Sequence, residues 1–202
     1  MLAIIDYGVG NLFSLISSFK AIGVEAVITS DPETIKKADR LILPGVGAFG
    51  DAANKLQNSG LCEIIKKRVW EGIPLMGICL GMQLLFEESY EYGLHKGLGL
   101  LKGRVIGMEN TIPESLKIPH IGWNSLKFTK ESPIFKYINE GDCVYFVHSF
   151  YAVDCEDSLI ATAEYGKDLT AAVGLGNVYG CQFHPEKSGS VGLKILKAFS
   201  EV

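Results

Sequence analysis

The sequence predicts an α/β protein with a doubly wound, mostly parallel sheet flanked by helices and extra β structure in the second half. Two observations predict this class. Short apolar runs alternate with helical patterns through the first half of the chain, which is typical of a parallel sheet covered on both faces. Glycine-rich loops follow some of those runs, where the ligand sites of such sheets lie.

In the first half, each predicted strand ends in a turn and a helix follows. Residues 11–22 carry apolar side chains at helical spacing. Asp31 before Pro32 is a favourable helix start, because Asp caps a helix and Pro fits its first position. The predicted elements are strands 2–6, 24–29, 40–43 and 75–78, and helices 11–22, 32 onward, 51–57, 61–71 and 80 onward.

The second half contains more extended segments, separated by glycines. An amphipathic helix over 188–202 follows them, with apolar residues on one side. No linker or internal repeat interrupts the chain, so we expect a single domain over residues 1–202. The extended segments are 97–108, 122–128, 143–153, 159–165 and 169–184.

Composition and charge argue against several classes of function. The formal net charge is −4 and no basic cluster occurs, so nucleic-acid binding is not expected. The most apolar stretch, 73–86, is shorter than the roughly 18 residues that a spanning helix needs, and the first residues lack a basic leader. Five cysteines without CxxC spacing argue against a disulfide framework and favour reduced thiols in the cytoplasm.

Cys79 lies between two glycines at the end of a predicted strand, in GICLG (77–81). This pattern has the form of a nucleophile elbow, where a sharp strand-to-helix turn exposes the nucleophile. Gly77 and Gly81 allow a tight turn. A helix N-terminus favours the thiolate, and the Leu80 N–H would face a forming oxyanion. The alternative is a small buried core thiol, and these five residues leave both interpretations open.

A cysteine nucleophile needs a base, and the chain has four histidines. His184 precedes Glu186 by two residues, a spacing that puts both side chains on one side of an extended run. Pro185 favours that extended backbone, and Glu186 could orient the imidazole and stabilise the imidazolium. A structural histidine is the alternative. His148 is the rival base, but Asp154 is the only carboxylate near it in sequence, which favours a structural or binding role.

PGVGAFG (44–50) follows a predicted strand. A glycine-rich loop there can turn N–H groups toward an oxyanion, although a phosphate cradle or a plain turn fits equally well. No Gly-Lys-Ser/Thr follows, so it is not a Walker loop. Gly8-Val9-Gly10 is an incomplete dinucleotide fingerprint, because Phe13 occupies the third glycine position.

Together, PGVG, GICLGMQLL and QFHPEKS resemble, in their order, the triad class (class I) of glutamine amidotransferases, whose fold is flavodoxin-like. Other segments are similar to the glutaminase subunits of imidazole glycerol phosphate synthase, and PHIGWN (119–124) is the most specific of them. The similar segments are YGVGN (7–11), LPGVGAFG (43–50), GLGLLKGRV (97–105), PHIGWNSL (119–126), YFVHSFYA (145–152) and QFHPEKSG (182–189).

The resemblance implies that Cys79 is the nucleophile, His184 the general base and acid, and Glu186 the orienting carboxylate. It implies no metal or cofactor. The alternatives are a solvated helix face for Gln83 and Glu91 and a core position for Trp123. The other implied sites are an oxyanion hole at Val46 and Leu80, glutamine contacts at Gly47, Gln83, Glu91 and Ser149, and a partner interface at Asn11, His120, Trp123, Asn124 and Tyr145.

The resemblance also implies a heterodimer. The chain would hydrolyse L-glutamine to glutamate and ammonia, and a (βα)8-barrel synthase subunit would use the ammonia to convert PRFAR into imidazole glycerol phosphate and AICAR in histidine biosynthesis. A domain of this class fills a chain of this length, so the acceptor is expected on another chain. The alternatives are a free-standing amidotransferase subunit of another pathway and a non-catalytic regulatory subunit on the same fold.

Overall fold

A computed structural model describes residues 1–109 and 111–202, in which fourteen strands and six α-helices occur. The strands are β1 (Leu2–Ile5), β2 (Ala26–Thr29), β3 (Arg40–Leu43), β4 (Leu75–Ile78), β5 (Glu88–Ser89), β6 (His95–Lys96), β7 (Arg104–Gly107), β8 (His120–Ser125), β9 (Lys127–Phe128), β10 (Cys143–His148), β11 (Phe150–Val153), β12 (Leu159–Glu164), β13 (Asp168–Leu175) and β14 (Val178–Cys181). The helices are α1 (Leu12–Ala21), α2 (Pro32–Lys37), α3 (Phe49–Asn58), α4 (Leu61–Trp70), α5 (Leu80–Gln83) and α6 (Gly189–Phe199).

The central sheet has eight strands in the order β2-β1-β3-β4-β14-β13-β12-β9. The strands from β2 to β14 are parallel to one another, and β13, β12 and β9 extend the sheet with antiparallel pairing. The parallel part has the flavodoxin-like strand order. The predicted fold class, a doubly wound and mostly parallel sheet with extra β structure, is therefore confirmed.

Alternation along the strands places the two faces of the sheet in two different cores. Ala3 and Ile5 of β1 pack in the cluster that contains the buried sides of α2, α3 and α4. Leu2 and Ile4 pack in the cluster that contains those of α1 and α6. Successive side chains of a strand point to opposite faces, so this short strand is buried on both sides.

Two smaller sheets stand beside the central one. β10 pairs with β8, whereas β11, β7, β5 and β6 form a four-stranded sheet. The predicted extended run 143–153 is therefore divided between two sheets after His148. No helix among the described residues is long and apolar enough to cross a membrane.

The first-half predictions are mostly confirmed, and the clearest differences come later in the chain. The Asp31 carboxylate accepts hydrogen bonds from the N–H groups of Glu33 and Thr34, as an N-cap does. The helix after Cys79 is only Leu80–Gln83. The run predicted as extended over 97–108 is a strand only at Arg104–Gly107, because the N–H groups of Leu98 and Leu100 bond instead to carbonyls of residues 84 and 85.

Candidate active site

Cys79 lies on the strained turn between β4 and α5. Its backbone has φ 54° and ψ −112°, a region that residues with a side chain rarely adopt. The turn is held at both ends, because the Cys79 N–H donates to the Cys181 carbonyl at 2.7 Å and the Cys79 carbonyl accepts from the Gln83 N–H at 3.1 Å. The side chain is 8% exposed and lines a cavity. This geometry is that of a nucleophile elbow.

Close packing explains the glycines around this turn. A Cβ on Gly81 would overlap the Leu43 carbonyl oxygen, and one on Gly45 would lie 2.7 Å from the Gly81 amide nitrogen. The glycine-rich loop after β3 therefore packs directly against the elbow. The Tyr7 hydroxyl also fixes this loop, because it donates to the Pro44 carbonyl at 2.7 Å.

Gly81→Ala should lower the free energy of unfolding by about 1–3 kcal/mol, because the new methyl group displaces the backbone of Leu43. Urea unfolding measures the change. Gly107→Ala is the matched control, since its Cβ would lie 3.5 Å from the Phe150 ring, an ordinary contact. Equal stability of the two variants would contradict the close approach as the reason for glycine at 81.

His184 and Glu186 form the second part of the site. His184 Nδ1 lies 2.8 Å from Glu186 Oε1, and both side chains are buried. Burial alone would lower the pKa of His184, but hydrogen bonds and charge interactions with Cys79 and Glu186 raise this pKa to about 9. The imidazolium is thus the favoured form at neutral pH. The predicted extended backbone holds for His184 but not for Glu186, because Pro185–Lys187 form a 3₁₀ turn.

Ser188 positions the backbone around His184. Its hydroxyl donates to the His184 carbonyl at 2.6 Å and accepts the Tyr145 N–H at 2.9 Å, while the His184 N–H donates to the Tyr145 carbonyl at 3.0 Å. Ser188 is 1% exposed. Sequence reasoning missed this serine, although its position just after His-Pro-Glu and before the last helix was a signal for a capping or bridging hydroxyl.

One cavity of about 360 Å³ brings most of the predicted residues together. Glu186 does not line it and lies behind His184, as an orienting group does. Tyr92, Pro119, Val147, His148, Phe150 and Lys187 line the cavity without having been assigned to the site. The predicted residues that line it are Val46, Gly47, Cys79, Leu80, Gln83, Glu91, Ser149 and His184.

Two buried amides connect the cavity wall to the thiol. Gln83 Nε2 donates to the Phe150 carbonyl and to Gln182 Oε1, both at 3.0 Å, and Gln182 Nε2 donates to Cys79 Sγ at 3.8 Å. Both N–H bonds of Gln83 are used, so only its Oε1 is available to a ligand. Gln182 was missed, although its position two residues before His184 in an extended run placed it near the site.

Glu91 is also buried in the cavity wall, which rules out the solvated face considered from the sequence. Its Oε2 accepts the Phe49 N–H at 2.7 Å, at the start of α3. Burial raises the pKa of Glu91 above its usual value, against the opposing effects of the Phe49 N–H and of His95. Glu91 thus links the cavity to the helix that follows the glycine-rich loop.

The residues predicted to face a partner divide into two groups. Trp123 is 58% exposed and packs edge-on against Tyr145 at 6.2 Å between ring centroids, so it is not a core residue. Asn11, Asn124 and Tyr145 are half-buried. His120 is 3% exposed, which corrects its placement on the surface. The rings of Phe146 and Tyr165 stack on the His120 ring and cover it, so this side chain lies in the interior.

His148 should make the protein sensitive to acid. Burial lowers the pKa of His148 to about 3, so below pH 6.5 the unfolded chain binds a proton that the folded chain does not. Between pH 7 and pH 5 this linkage should remove about 2 kcal/mol from the free energy of unfolding. Urea unfolding at both pH values should show a loss about 2 kcal/mol larger in the unsubstituted chain than in His148→Gln. The same pH dependence in both proteins would contradict this expectation.

Comparisons with known proteins agree with this geometry. Residues 3–201 match the family described as Glutamine amidotransferase class-I. The chain is 54% identical over 201 residues to an imidazole glycerol phosphate synthase subunit HisH of Lactococcus lactis, covering 99% of this chain and 98% of that protein. It is 52% identical over 203 residues to the subunit of the same name from Caldanaerobacter subterraneus, covering 100% of this chain and 98% of that protein.

Solved structures show the same fold. One described as a glutamine amidotransferase superposes with a TM-score of 0.77 at 21% identity, covering 98% of this chain and 97% of that one. PurLQS from Thermotoga maritima superposes with a TM-score of 0.75 at 22% identity, covering 99% of this chain and 97% of that one. The elbow, the buried His–Glu pair and the match over nearly all of its length lead to one conclusion: the chain belongs to the class-I glutamine amidotransferase family.

Proposed function

We propose that this chain is the glutaminase subunit of imidazole glycerol phosphate synthase. It hydrolyses L-glutamine and supplies the ammonia to a (βα)8-barrel synthase subunit, which converts PRFAR to imidazole glycerol phosphate and AICAR. The observation that carries the proposal is the meeting of Cys79 and His184 in one cavity, with Glu186 bonded behind the imidazole. Identity of about half over the full length of named subunits supports the pathway.

Acyl transfer begins at Cys79. The thiolate attacks the side-chain carboxamide carbon of glutamine and forms a tetrahedral intermediate. The N–H of Leu80, the first residue of α5, and the N–H of Val46 stabilise its oxyanion. The His184 imidazolium then donates its proton to the leaving ammonia.

Hydrolysis of the thioester completes the cycle. His184, now neutral, removes a proton from a water molecule that attacks the thioester carbon, and glutamate leaves as the Cys79 sulfur is released. Glu186 holds Nδ1–H of the imidazole through both steps, so Nε2 always faces the reacting atoms. Gln182 Nε2 donates to the Cys79 sulfur at 3.8 Å.

The cavity wall offers groups suited to the α-carbon end of glutamine. Glu91 supplies a buried carboxylate whose Oε2 is bonded to Phe49, and Oε1 is left to pair with the α-ammonium group. Gln83 contributes its Oε1 as an acceptor. The backbone of Gly47 and Ser149 completes the pocket, in which both residues are lining groups.

The Val46 peptide is the part of the oxyanion hole that can move. Val46 lies between two glycines, and a Cβ on Gly47 would meet no atom within 4 Å. The Val46 N–H belongs to the Gly45–Val46 peptide, and the glycines on both sides of Val46, Gly47 with φ 98°, let this peptide rotate at small cost. In our proposal, binding of the barrel subunit turns this peptide so that an N–H points at the oxyanion.

We expect the glutaminase domain to span residues 1–202 and to work in the cytoplasm. Its activity should depend on the barrel subunit. Glutamine hydrolysis should be slow for the chain alone and rise at least about tenfold when the barrel subunit and its nucleotide are added. Glutamate release, measured by a coupled dehydrogenase assay, follows this change, and the same mixture with Cys79→Ala provides the blank. High activity that the partner does not alter would contradict the proposed coupling.

A further inference from the structure

A line of buried and partly buried hydrogen bonds runs from strand β8 toward the cavity. Asn124 Nδ2 lies 3.3 Å from His120 Nε2, His120 Nδ1 lies 3.0 Å from His148 Nε2, and His148 Nδ1 lies 2.9 Å from the Phe150 carbonyl oxygen. We call these four residues the histidine chain. Of them, His148 and Phe150 line the cavity, whereas His120 and Asn124 do not.

Backbone groups determine the direction of every proton in the histidine chain. The Phe150 carbonyl can only accept, so His148 carries its proton on Nδ1 and accepts at Nε2. His120 must then donate from Nδ1 and accept at Nε2. The Asn124 amide agrees, because its Oδ1 accepts the Ser125 N–H at 2.8 Å and its Nδ2 donates to the Glu164 carbonyl at 2.7 Å as well as to His120.

The chain continues from Phe150 to the nucleophile. The same Phe150 carbonyl accepts from Gln83 Nε2, which also donates to Gln182 Oε1, and Gln182 Nε2 donates to Cys79 Sγ. Reversal of either amide would bring two acceptors or two donors face to face. The orientation that gives Cys79 a donor therefore depends on the position of the Phe150 carbonyl, which carries two hydrogen bonds.

The two histidines are held as neutral rings. His120 and His148 are 3% and 6% exposed, and neither has a carboxylate among its hydrogen-bond partners in the described residues. Burial lowers the pKa of both rings. The His120 ring stacks on Phe146 at 4.8 Å and on Tyr165 at 4.2 Å between centroids, so its plane is fixed and its nitrogens point along the chain.

We propose that His120 is a positioning residue for glutamine hydrolysis, which acts through His148 on the Phe150 carbonyl and thereby on the Gln83–Gln182 pair that donates to Cys79. The inference rests on the proposed function and adds to it a residue that does not line the cavity. Loss of the His120 Nδ1–H leaves His148 Nε2 buried without a donor, which frees the His148 ring and the Phe150 carbonyl to move.

Two substitutions at His120 separate positioning from packing. His120→Phe keeps a ring between Phe146 and Tyr165 but removes the donor. His120→Asn removes the ring but places an amide N–H close to the position of Nδ1. With the barrel partner present, His120→Phe should lower kcat for glutamine about tenfold, and His120→Asn should restore most of it. A packing role predicts the opposite order, with the greater loss in His120→Asn.

Two readouts do not require glutamine. Alkylation of Cys79 by iodoacetamide at pH 7, followed by peptide mass spectrometry, should slow in His120→Phe and recover in His120→Asn. Imidazole ¹⁵N NMR of the unsubstituted chain should show His120 and His148 each protonated at Nδ1. An Nε2-protonated His148, or equal alkylation rates in all three proteins, would overturn the inference. Absence of glutamine hydrolysis by the unsubstituted complex would instead overturn the proposed function, while these two readouts would still test the histidine chain.

Discussion

Replacing Cys79 with alanine should abolish glutamine hydrolysis by the complex, with a fall of at least about 10⁴-fold in kcat. The physical reason is the loss of the Cys79 thiol. Among the described residues, Cys79 is the only cysteine that lines the cavity, and His184 lines the same cavity. Alanine also keeps the small volume that the strained turn accommodates. Synthase product formed from added ammonia should persist, because the substitution leaves the barrel subunit and its active site intact. Parallel assays with glutamine and with ammonium as nitrogen source measure both effects.

Cys143→Ala is the matched control for this experiment. Cys143 is the exposed free thiol of the described residues and lies outside the cavity. It should retain full glutamine-dependent activity, and a glutamine-analogue electrophile should still label Cys79 in that variant. Glutamine-dependent product from Cys79→Ala at the rate of the unsubstituted chain would refute the nucleophile assignment and favour a non-catalytic subunit.

Replacing Glu186 with glutamine should lower kcat for glutamine by about 10³- to 10⁴-fold, as loss of the orienting carboxylate does in other triads. The carboxylate bonded to Nδ1 at 2.8 Å both selects the imidazole tautomer and stabilises the imidazolium. Without this charge the pKa of His184 falls below about 9, its value in the unsubstituted chain. Less imidazolium then remains at pH 7 to pair with the thiolate and to protonate ammonia.

Steady-state kinetics and the rate of Cys79 alkylation at pH 7 check this prediction together, and both should fall. The control is Glu114→Gln, an exposed carboxylate that does not line the cavity. The fold should survive the change at 186, because glutamine has the shape of glutamate and brings no additional volume into this buried position. A normal kcat in Glu186→Gln would show that another group orients His184.

Local patterns in the sequence were sufficient for the fold class and for a tight strand-to-helix turn at Cys79, whereas the order of the distant motifs was needed to favour a nucleophile over a buried thiol. Strand and helix signals depend on neighbours a few residues apart. The helix start at Asp31 and Pro32 and the apolar spacing of α1 are signals of this kind. The elbow is equally local, since Gly77 and Gly81 lie within two residues of Cys79. The prediction of a strand over all of 97–108 was wrong because the N–H groups of Leu98 and Leu100 bond to carbonyls more than ten residues earlier, a contact that local spacing does not encode.

Distant contacts explain why part of the site was not predicted. Gln83 and Gln182 are 99 residues apart and share a hydrogen bond, and Tyr7 holds Pro44 across 37 residues. His120 has the sequence environment of an exposed alternating strand, yet its ring is enclosed by Phe146 and Tyr165. Such burial arises from the packing of one sheet against another element, so strand periodicity alone could not reveal it.

The sequence by itself determined the fold class, the elbow at Cys79 and the His184–Glu186 pair, because each depends on residues adjacent in the chain or on motifs in a fixed order. Only the tertiary structure decided which side chains line the cavity, that Gln182 donates to the sulfur, and that His120 is interior. Those outcomes depend on which strand ends meet at one edge of the sheet and on the direction of each buried hydrogen bond. Those directions are set because buried polar groups must find hydrogen-bond partners once the chain is folded.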